Sequence, residues 1–208
     1  RRSSAASDVY KRQITVFDAL KKTNYDNGKF SFERYISAHS IMIAFEGVPA
    51  IYFNSMFGTS NDEAKFVITG NNRDVNRYKW NLKNISNKLN NKDSKESYFY
   101  KKISSLLSGK KKQKAFHPNA NRENINLGPK IFSFKRESID KKQTIICITN
   151  LSSEMQYFKL NKKFLKYKDL LGSKIFFTLD KKIKLDPCQT IWLLSLIHIS
   201  EPTRPIHI

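Results

Sequence analysis

Arg77 closes a polar stretch, residues 54–76, that carries Gly58 and Gly70 and gathers Asn61, Asp62, Arg73 and Asp74 into a short length of chain. A guanidinium stays charged at every physiological pH and offers a planar fork of donors, which suits a carboxylate or two neighbouring hydroxyls. Arg77 is therefore a candidate ligand-binding residue, the competing use being a loop-ordering ion pair. Arg73 and Asp74 serve equally as a binding pair or as scaffolding for the loop. Asn61-Asp62 also has a purely local explanation, because both side chains can bond the backbone two residues on and so make a turn. Elsewhere His39 stands beside apolar residues of a helical pattern, where a hydrogen-bonded core histidine is expected. His117 precedes Pro118 at a junction and is expected to be structural. The sequence contains no Gly-rich nucleotide loop, metal-ligand cluster or nucleophile elbow, so no cofactor and no metal is expected.

The elements that would carry these residues follow from the apolar spacing. Phe32, Tyr35, Ile36, Ile41, Met42 and Phe45 recur at helical intervals, with Ser31 placed as a cap and Gly47 as the stop. Residues 48–53, Val-Pro-Ala-Ile-Tyr-Phe, form a short apolar run of the kind a strand buried on both faces shows. Helix, turn, buried strand is one step of an α/β repeat. The stretch that follows is longer than an ordinary connection, and long βα loops are more often functional than decorative. Residues 80–93 give a weak helical signal and residues 98–114 a strong one, with Tyr98, Ile103, Leu106 and Leu107 inward. From Asn121 the period drops to two. Short strands are expected at 131–134, 144–149, 155–160, 174–179, 183–185 and 190–193, separated by Asn, Ser, Gly and Asp-Pro turns, as in an antiparallel β domain. The chain thus divides near residue 118 into α/β and β parts.

The 208 residues include 38 Lys+Arg against 18 Asp+Glu, a net charge of +20, with 39% hydrophobic and 12% aromatic residues. That apolar content supplies a core, and no run approaches the roughly 20 residues a membrane helix needs. Cys147 and Cys188 have no CxxC partner, which argues for a reduced, cytoplasmic protein over a disulfide scaffold. The basic excess is lysine: only Arg34, Arg73, Arg77, Arg122 and Arg136 lie between residues 14 and 193. Lys, Asn, Ile, Phe and Tyr all have A/T-rich codons, and a nucleic-acid reader favours arginine for bidentate contacts. Lys110-Lys111-Lys112 and the pairs at 141–142, 162–163 and 181–182 are accordingly expected to be solvated surface, with a phosphate-attracting face as the other reading. Neither nucleic acid nor membrane is expected as a partner.

Residues 1–13 and 194–208 stand apart. Asp8-Val9-Tyr10-Lys11-Arg12-Gln13 can be encoded by a DNA segment whose reverse complement encodes Leu194-Ser195-Leu196-Ile197-His198-Ile199. That segment looks like a transposase adapter used in preparing sequencing libraries. Both ends are expected to be translated adapter, against the alternative of a natural basic arm and tail, and both are set aside from fold and function.

Residues 40–53, with their helix, Gly-Val-Pro turn and apolar run, resemble the seventh helix and eighth strand of the α-amylase superfamily barrel. Gly58-Thr59-Ser60-Asn61-Asp62 and Gly70-Asn71-Asn72-Arg73-Asp74-Val75-Asn76-Arg77 resemble the long last barrel loop of the sucrose phosphorylase branch. Ala115-Phe116-His117-Pro118-Asn119-Ala120 is similar to the lead-in to the β domain of the members that act on glucosylglycerate or glucosylglycerol. The resemblance implies the last part of a (β/α)8 barrel over residues 14–118 and a small antiparallel β-sandwich over 119–193. It implies a retaining glycoside phosphorylase that transfers glucose from an α-glucoside to phosphate through a covalent glucosyl-enzyme. Its partners would be the α-glucoside, inorganic phosphate and glucose 1-phosphate, with a homodimer of the full-length enzyme left open. The catalytic carboxylates of the family lie on earlier strands, upstream of Ile14, so this segment is expected to be inactive alone. By the same resemblance Arg77 helps close the glucose pocket by pairing with a carboxylate from an early loop, Asn61 and Asp62 line the acceptor side, and Asp18 stands just past the seventh-strand loop. An α-glucosidase or transglucosidase of the same superfamily is the alternative, and a basic polyanion-binding module a second one. One barrel strand with two helices cannot close a sheet, so residues 14–115 are expected to be aggregation-prone and the β part to fold alone.

Overall fold

The computed structural model describes residues 14–160, 166–172, 175–177 and 182–196. Among these residues five helices come first: α1 (Val16–Leu20), α2 (Ser31–Ala44), α3 (Glu63–Thr69), α4 (Leu82–Asn90) and α5 (Lys95–Lys111). Single 3-10 turns lie at Phe53–Phe57, Asn72–Asn76 and Lys114–Phe116. Eight strands follow: β1 (Asn121–Asn126), β2 (Ile131–Glu137), β3 (Thr144–Asn150), β4 (Gln156–Phe158), β5 (Lys166–Asp169), β6 (Ile175–Phe177), β7 (Ile183–Leu185) and β8 (Thr190–Ser195).

The strands make an antiparallel six-stranded sheet in the order β1-β2-β3-β8-β5-β6 and a separate β4-β7 pair. Strand β3, Thr-Ile-Ile-Cys-Ile-Thr-Asn, is buried along its whole length, because alternate residues enter two different cores. Ile145 and Cys147 join Phe134 and Trp192 against the helices, where they meet Ile43, Phe99, Ile103 and Leu106. Ile146 and Ile148 join Ile191, Leu193 and Tyr167 against Phe158, Ile183 and Leu185 of the β4-β7 pair. The six-stranded sheet is thus the middle of three layers. Within the helical layer Tyr35 and Phe99 pack with ring centroids 4.7 Å apart, and Phe17 meets both edge-on.

Polar bonds close the seam between helices and sheet. Arg136 of β2 has no exposed surface, and its guanidinium donates to the carbonyls of Ala44, His117 and Ala120. Lys110 donates to Ile43 O at 2.7 Å and Phe45 O at 3.3 Å, covering carbonyls at the end of α2. Gly47, at φ +81°, donates its N–H to Pro118 O. Ser37 donates to Cys188 O across the same seam.

Several expectations are corrected. Residues 48–53 are no strand: Val48 is 81% and Tyr52 55% exposed, and no neighbouring strand among the described residues supplies ladder bonds. An apolar run reads as a buried strand only where a sheet exists to bury it. Ser31 is the first helical residue rather than the cap, a position held by Phe30 without a side-chain bond. Met42, expected inward, is exposed, while Ile43 is fully buried. The stretch 54–76 contains one helix and two 3-10 turns. Strand β5, Lys-Tyr-Lys-Asp, was hidden by its charges; only Tyr167 and Asp169 point inward. Strand β8 runs past residue 193, since Leu194 pairs with Ile145 and packs on the helix-side core. The expected strand 174–179 is described at Ile175–Phe177 only. Residues 1–13 and 197–208, with Lys162, Lys163 and Lys181, lie outside the described residues.

Candidate functional site

Four short segments meet around residues 59–62, each held by a side chain that local sequence supplies. Thr15 caps α1, and the Asp18 carboxylate three residues on accepts the Thr15 hydroxyl at 3.3 Å. The same carboxylate oxygen accepts Asn61 N–H at 2.5 Å, and Asn61 Oδ1 accepts Thr15 N–H at 2.9 Å. Asp18 and Asn61 therefore form a reciprocal clamp between α1 and the loop. Asp62 caps α3 by accepting Lys65 N–H at 3.0 Å, while its own N–H reaches Val75 O at 2.7 Å. Lys95, at the start of α5, lies 4.3 Å over the Phe17 ring and donates to Ser60 Oγ at 2.9 Å. Burial pushes its ammonium pKa down.

Asp74 is paired, but not with Arg73. Its carboxylate sits 3.0 Å from Lys65 Nζ and accepts the Thr69 hydroxyl at 2.8 Å, and the Lys65 bond chiefly holds its pKa below the usual range. The sequence favoured Arg73 as the partner because it is adjacent. The turn at Asn72–Asn76 instead aims Asp74 back at α3 and leaves Arg73 exposed. Arg77 follows that turn, with its N–H on Asp74 O, and its side chain is exposed. Among the described residues no carboxylate lies within ion-pair distance of it, though its charge helps to hold the Asp74 carboxyl below the usual range.

Behind Arg77 the chain is anchored by residues the sequence reading passed over. Asn54 Nδ2 donates to Tyr78 O at 3.0 Å and Trp80 Nε1 to Thr59 Oγ1 at 3.2 Å. Tyr78 and Trp80 meet edge-on at 4.8 Å, and Trp80 packs against Phe57. Tyr35, whose hydroxyl donates to Ser55 O at 2.6 Å, has its pKa raised by burial. The aromatic spacing of residues 78 and 80 was the available signal. His39 is buried with Nδ1 2.9 Å from Tyr35 O, as a core histidine would be. His117 is exposed; its carbonyl accepts from Arg136 and its Nδ1 accepts Asn119 N–H. The site thus brings Asp18, Asn61, Asp62 and Asp74 into one bonded network and presents Arg77 at its rim. Among the described residues no three His, Cys, Asp or Glu side chains lie close enough to hold a metal ion.

Helices stacked on one face of an antiparallel sheet, with a β pair on the other, is an arrangement found in solved enzymes. The chain superposes on AmyP in complex with maltose with a TM-score of 0.62 at 15% identity, covering 83% of this chain and 36% of that one. It superposes on a pullulanase from Anoxybacillus sp. with a TM-score of 0.65 at 14% identity, covering 89% and 26%. The chain thus shares its fold with part of these enzymes. By sequence the chain is similar to the C-terminal region of glucosylglycerate phosphorylases. It is 29% identical to that of Escherichia coli over 187 residues, which is 88% of this chain and 32% of the relative, and 32% identical to that of Allomeiothermus silvanus over 112 residues, 53% and 20%. The chain spans about a third or less of the curated relatives it matches. No family model matches it.

Proposed function

We propose that the chain is part of a retaining glycoside phosphorylase that moves a glucosyl unit from an α-glucoside to inorganic phosphate, with Arg77 as a substrate-pocket residue. The observation that carries this reading is the state of Arg77: it follows a loop in which Asn61, Asp62 and Asp74 are bonded to neighbouring elements, yet its own guanidinium faces solvent with no carboxylate within ion-pair distance among the described residues, Asp74 feeling its charge only from farther off. A hydrated guanidinium held at the rim of an ordered loop leaves its fork of donors available to a carboxylate or to sugar hydroxyls brought by the rest of the protein. The likeness to glucosylglycerate phosphorylases supports the reaction class and donors such as glucosylglycerate, glucosylglycerol or sucrose.

In the proposed reaction a carboxylate attacks the anomeric carbon while a carboxylic acid protonates the departing oxygen. Phosphate then takes the glucosyl unit from the enzyme with net retention. Those two carboxyl groups come from residues upstream of Ile14. Asp18, Asn61 and Asp62 fix the loop, and Arg77, with Arg73 beside it, supplies donors to a carboxylate or to sugar hydroxyls. A hydrolase or transglucosidase is the second reading, favoured by the fold neighbours, which include a pullulanase.

The test is made on the complete protein. Glucose 1-phosphate release is assayed from the three donors with and without phosphate, in the parent and in Arg77→Ala. Phosphate-dependent release that falls by about a hundredfold in the variant, with little change in melting temperature, is the expected result. Free glucose formed without phosphate would move the protein to the hydrolases, and an unchanged rate in the variant would remove the pocket role.

A further inference from the structure

The lysine run at 110–112, assigned by its spacing to solvated surface, borders a cleft of about 620 Å³ between the end of α5 and the turn joining β2 to β3. Its accessible apolar lining is Pro118 and Ile139, the latter 64% exposed at the tip of the turn, with the buried Phe116 behind them. Both walls are pre-ordered. Gln143 Oε1 accepts Ala115 N–H at 2.8 Å, and its Nε2 donates to Gln113 Oε1 at 2.9 Å, fastening the turn to the Lys114–Phe116 segment. The turn itself is fixed by Ser138, whose hydroxyl donates to Asp140 at 2.6 Å and accepts Gln143 N–H.

The charges around the cleft are not equivalent. Lys110 is spent on the carbonyls of residues 43 and 45, and Lys114 sits 3.5 Å from Asp140. Lys111 and Lys112 are exposed and have no carboxylate within ion-pair distance among the described residues. His117 uses Nδ1 to accept Asn119 N–H, which leaves Nε2 as the ring's donor. A volume of this size is that of a small-molecule site, and an apolar floor with a few convergent polar groups is its usual make-up. The ammonium groups of two cleft-lining lysines and a ring donor suit a doubly charged oxyanion.

We propose that this cleft binds a small organic phosphate, a phosphate monoester whose ring lies on Pro118 and Ile139 and whose phosphoryl group is held by Lys111, Lys112 and His117. The site shares no residue with the loop around Arg77, so the proposal stands apart from the reading of the reaction. The 208-residue chain is titrated with phenyl phosphate, with inorganic phosphate and phenol as controls, and amide shifts are followed by NMR. Saturable shifts at residues 111–117 and 138–140 are expected, with phenyl phosphate binding about tenfold tighter than either control. The double substitution Lys111→Ala/Lys112→Ala weakens phenyl phosphate at least about tenfold, and Ile139→Ser weakens it while sparing inorganic phosphate. All three side chains are exposed, and unchanged melting temperatures verify that the fold is retained. Shifts that stay linear, equal affinity for phenyl phosphate and inorganic phosphate, or variants that bind like the parent would overturn the proposal.

Discussion

Gly58 sets the path of the loop that carries the candidate site. It adopts φ +58°, and a β-carbon there would lie 2.2 Å from a ring carbon of Phe99, a side chain with no exposed surface. Gly58→Ala therefore combines left-handed backbone strain with overpacking of a fixed ring, a loss of about 2–5 kcal/mol. Urea unfolding measures it, and a loss under about 1 kcal/mol would mean that the loop can move off Phe99 without consequence. Asp26 is a second residue with a defined signature. Its carboxylate takes two bonds from Arg34, at 2.8 and 3.0 Å, and further ones from Thr23, Gly28 and Ser153. The Arg34 bonds, first among these, hold its pKa well below the usual carboxylate range. A carboxyl lowered on folding contributes stability that is fully present above its unfolded value, about 3.9, and lost as pH falls through the folded one. Asp26→Asn should melt below the parent at neutral pH, with the gap closing toward about pH 2. A gap that does not change with pH would show that the bonds, not the charge, carry the effect.

At the scale of elements, the sheet and the helices form one unit. The face of the six-stranded sheet built from Phe134, Ile145, Cys147 and Trp192 is covered by α2 and α5, and Phe116 meets Trp192 edge-on at 4.8 Å. Residues 119–196 cut free would expose that face and leave Arg136 without Ala44 O and His117 O, two of its three acceptors. The excised segment is therefore expected to bind a hydrophobic dye and lack dispersed amide shifts, contrary to the expectation that the β part folds alone. A cooperative melt and a dispersed spectrum would disprove this. The same packing explains what was legible in the sequence. Helix α2 and helix α5 announced themselves because their buried residues recur at helical spacing, and β3 as a short β-branched run of residues 144–149 between turn residues. Strand β5 was not legible, since two of its four residues are lysines, and the run at 48–53 was over-read, since periodicity cannot tell whether a neighbouring strand exists. At the site, the adjacency of Arg73 and Asp74 suggested a pair. The distant Lys65 won because α3 turns its side chain toward Asp74, and the Asp18–Asn61 clamp spans 43 residues, a separation no local pattern encodes.

For the molecule as a whole, the uncovered apolar surface decides its behaviour in solution. Ile14, Val16, Val48, Tyr52 and Phe53 are each about half or more exposed, and Met42 is 39% exposed. Val16, Met42 and Tyr52 line one groove of about 270 Å³ with Ala50 and Ile51. These residues flank the seam between α1, α2 and the extended run, the same run whose composition suits burial on two sides. Scattered apolar side chains are ordinary, but a contiguous group of this kind favours association when nothing covers it. The chain's positive charge opposes that association at long range, and salt screens it within about 10 Å at moderate ionic strength. The chain is accordingly expected to self-associate as salt is raised, the reverse of what charge-driven assembly would do. Val48→Lys with Tyr52→Lys places two charges on the face without touching the buried core, and should hold the chain monomeric across the same salt range. Sedimentation velocity at low and high salt reads the outcome. A parent that stays monomeric at high salt, or a double variant that associates as the parent does, would mean that another surface governs assembly and that this face is adequately hydrated as it stands.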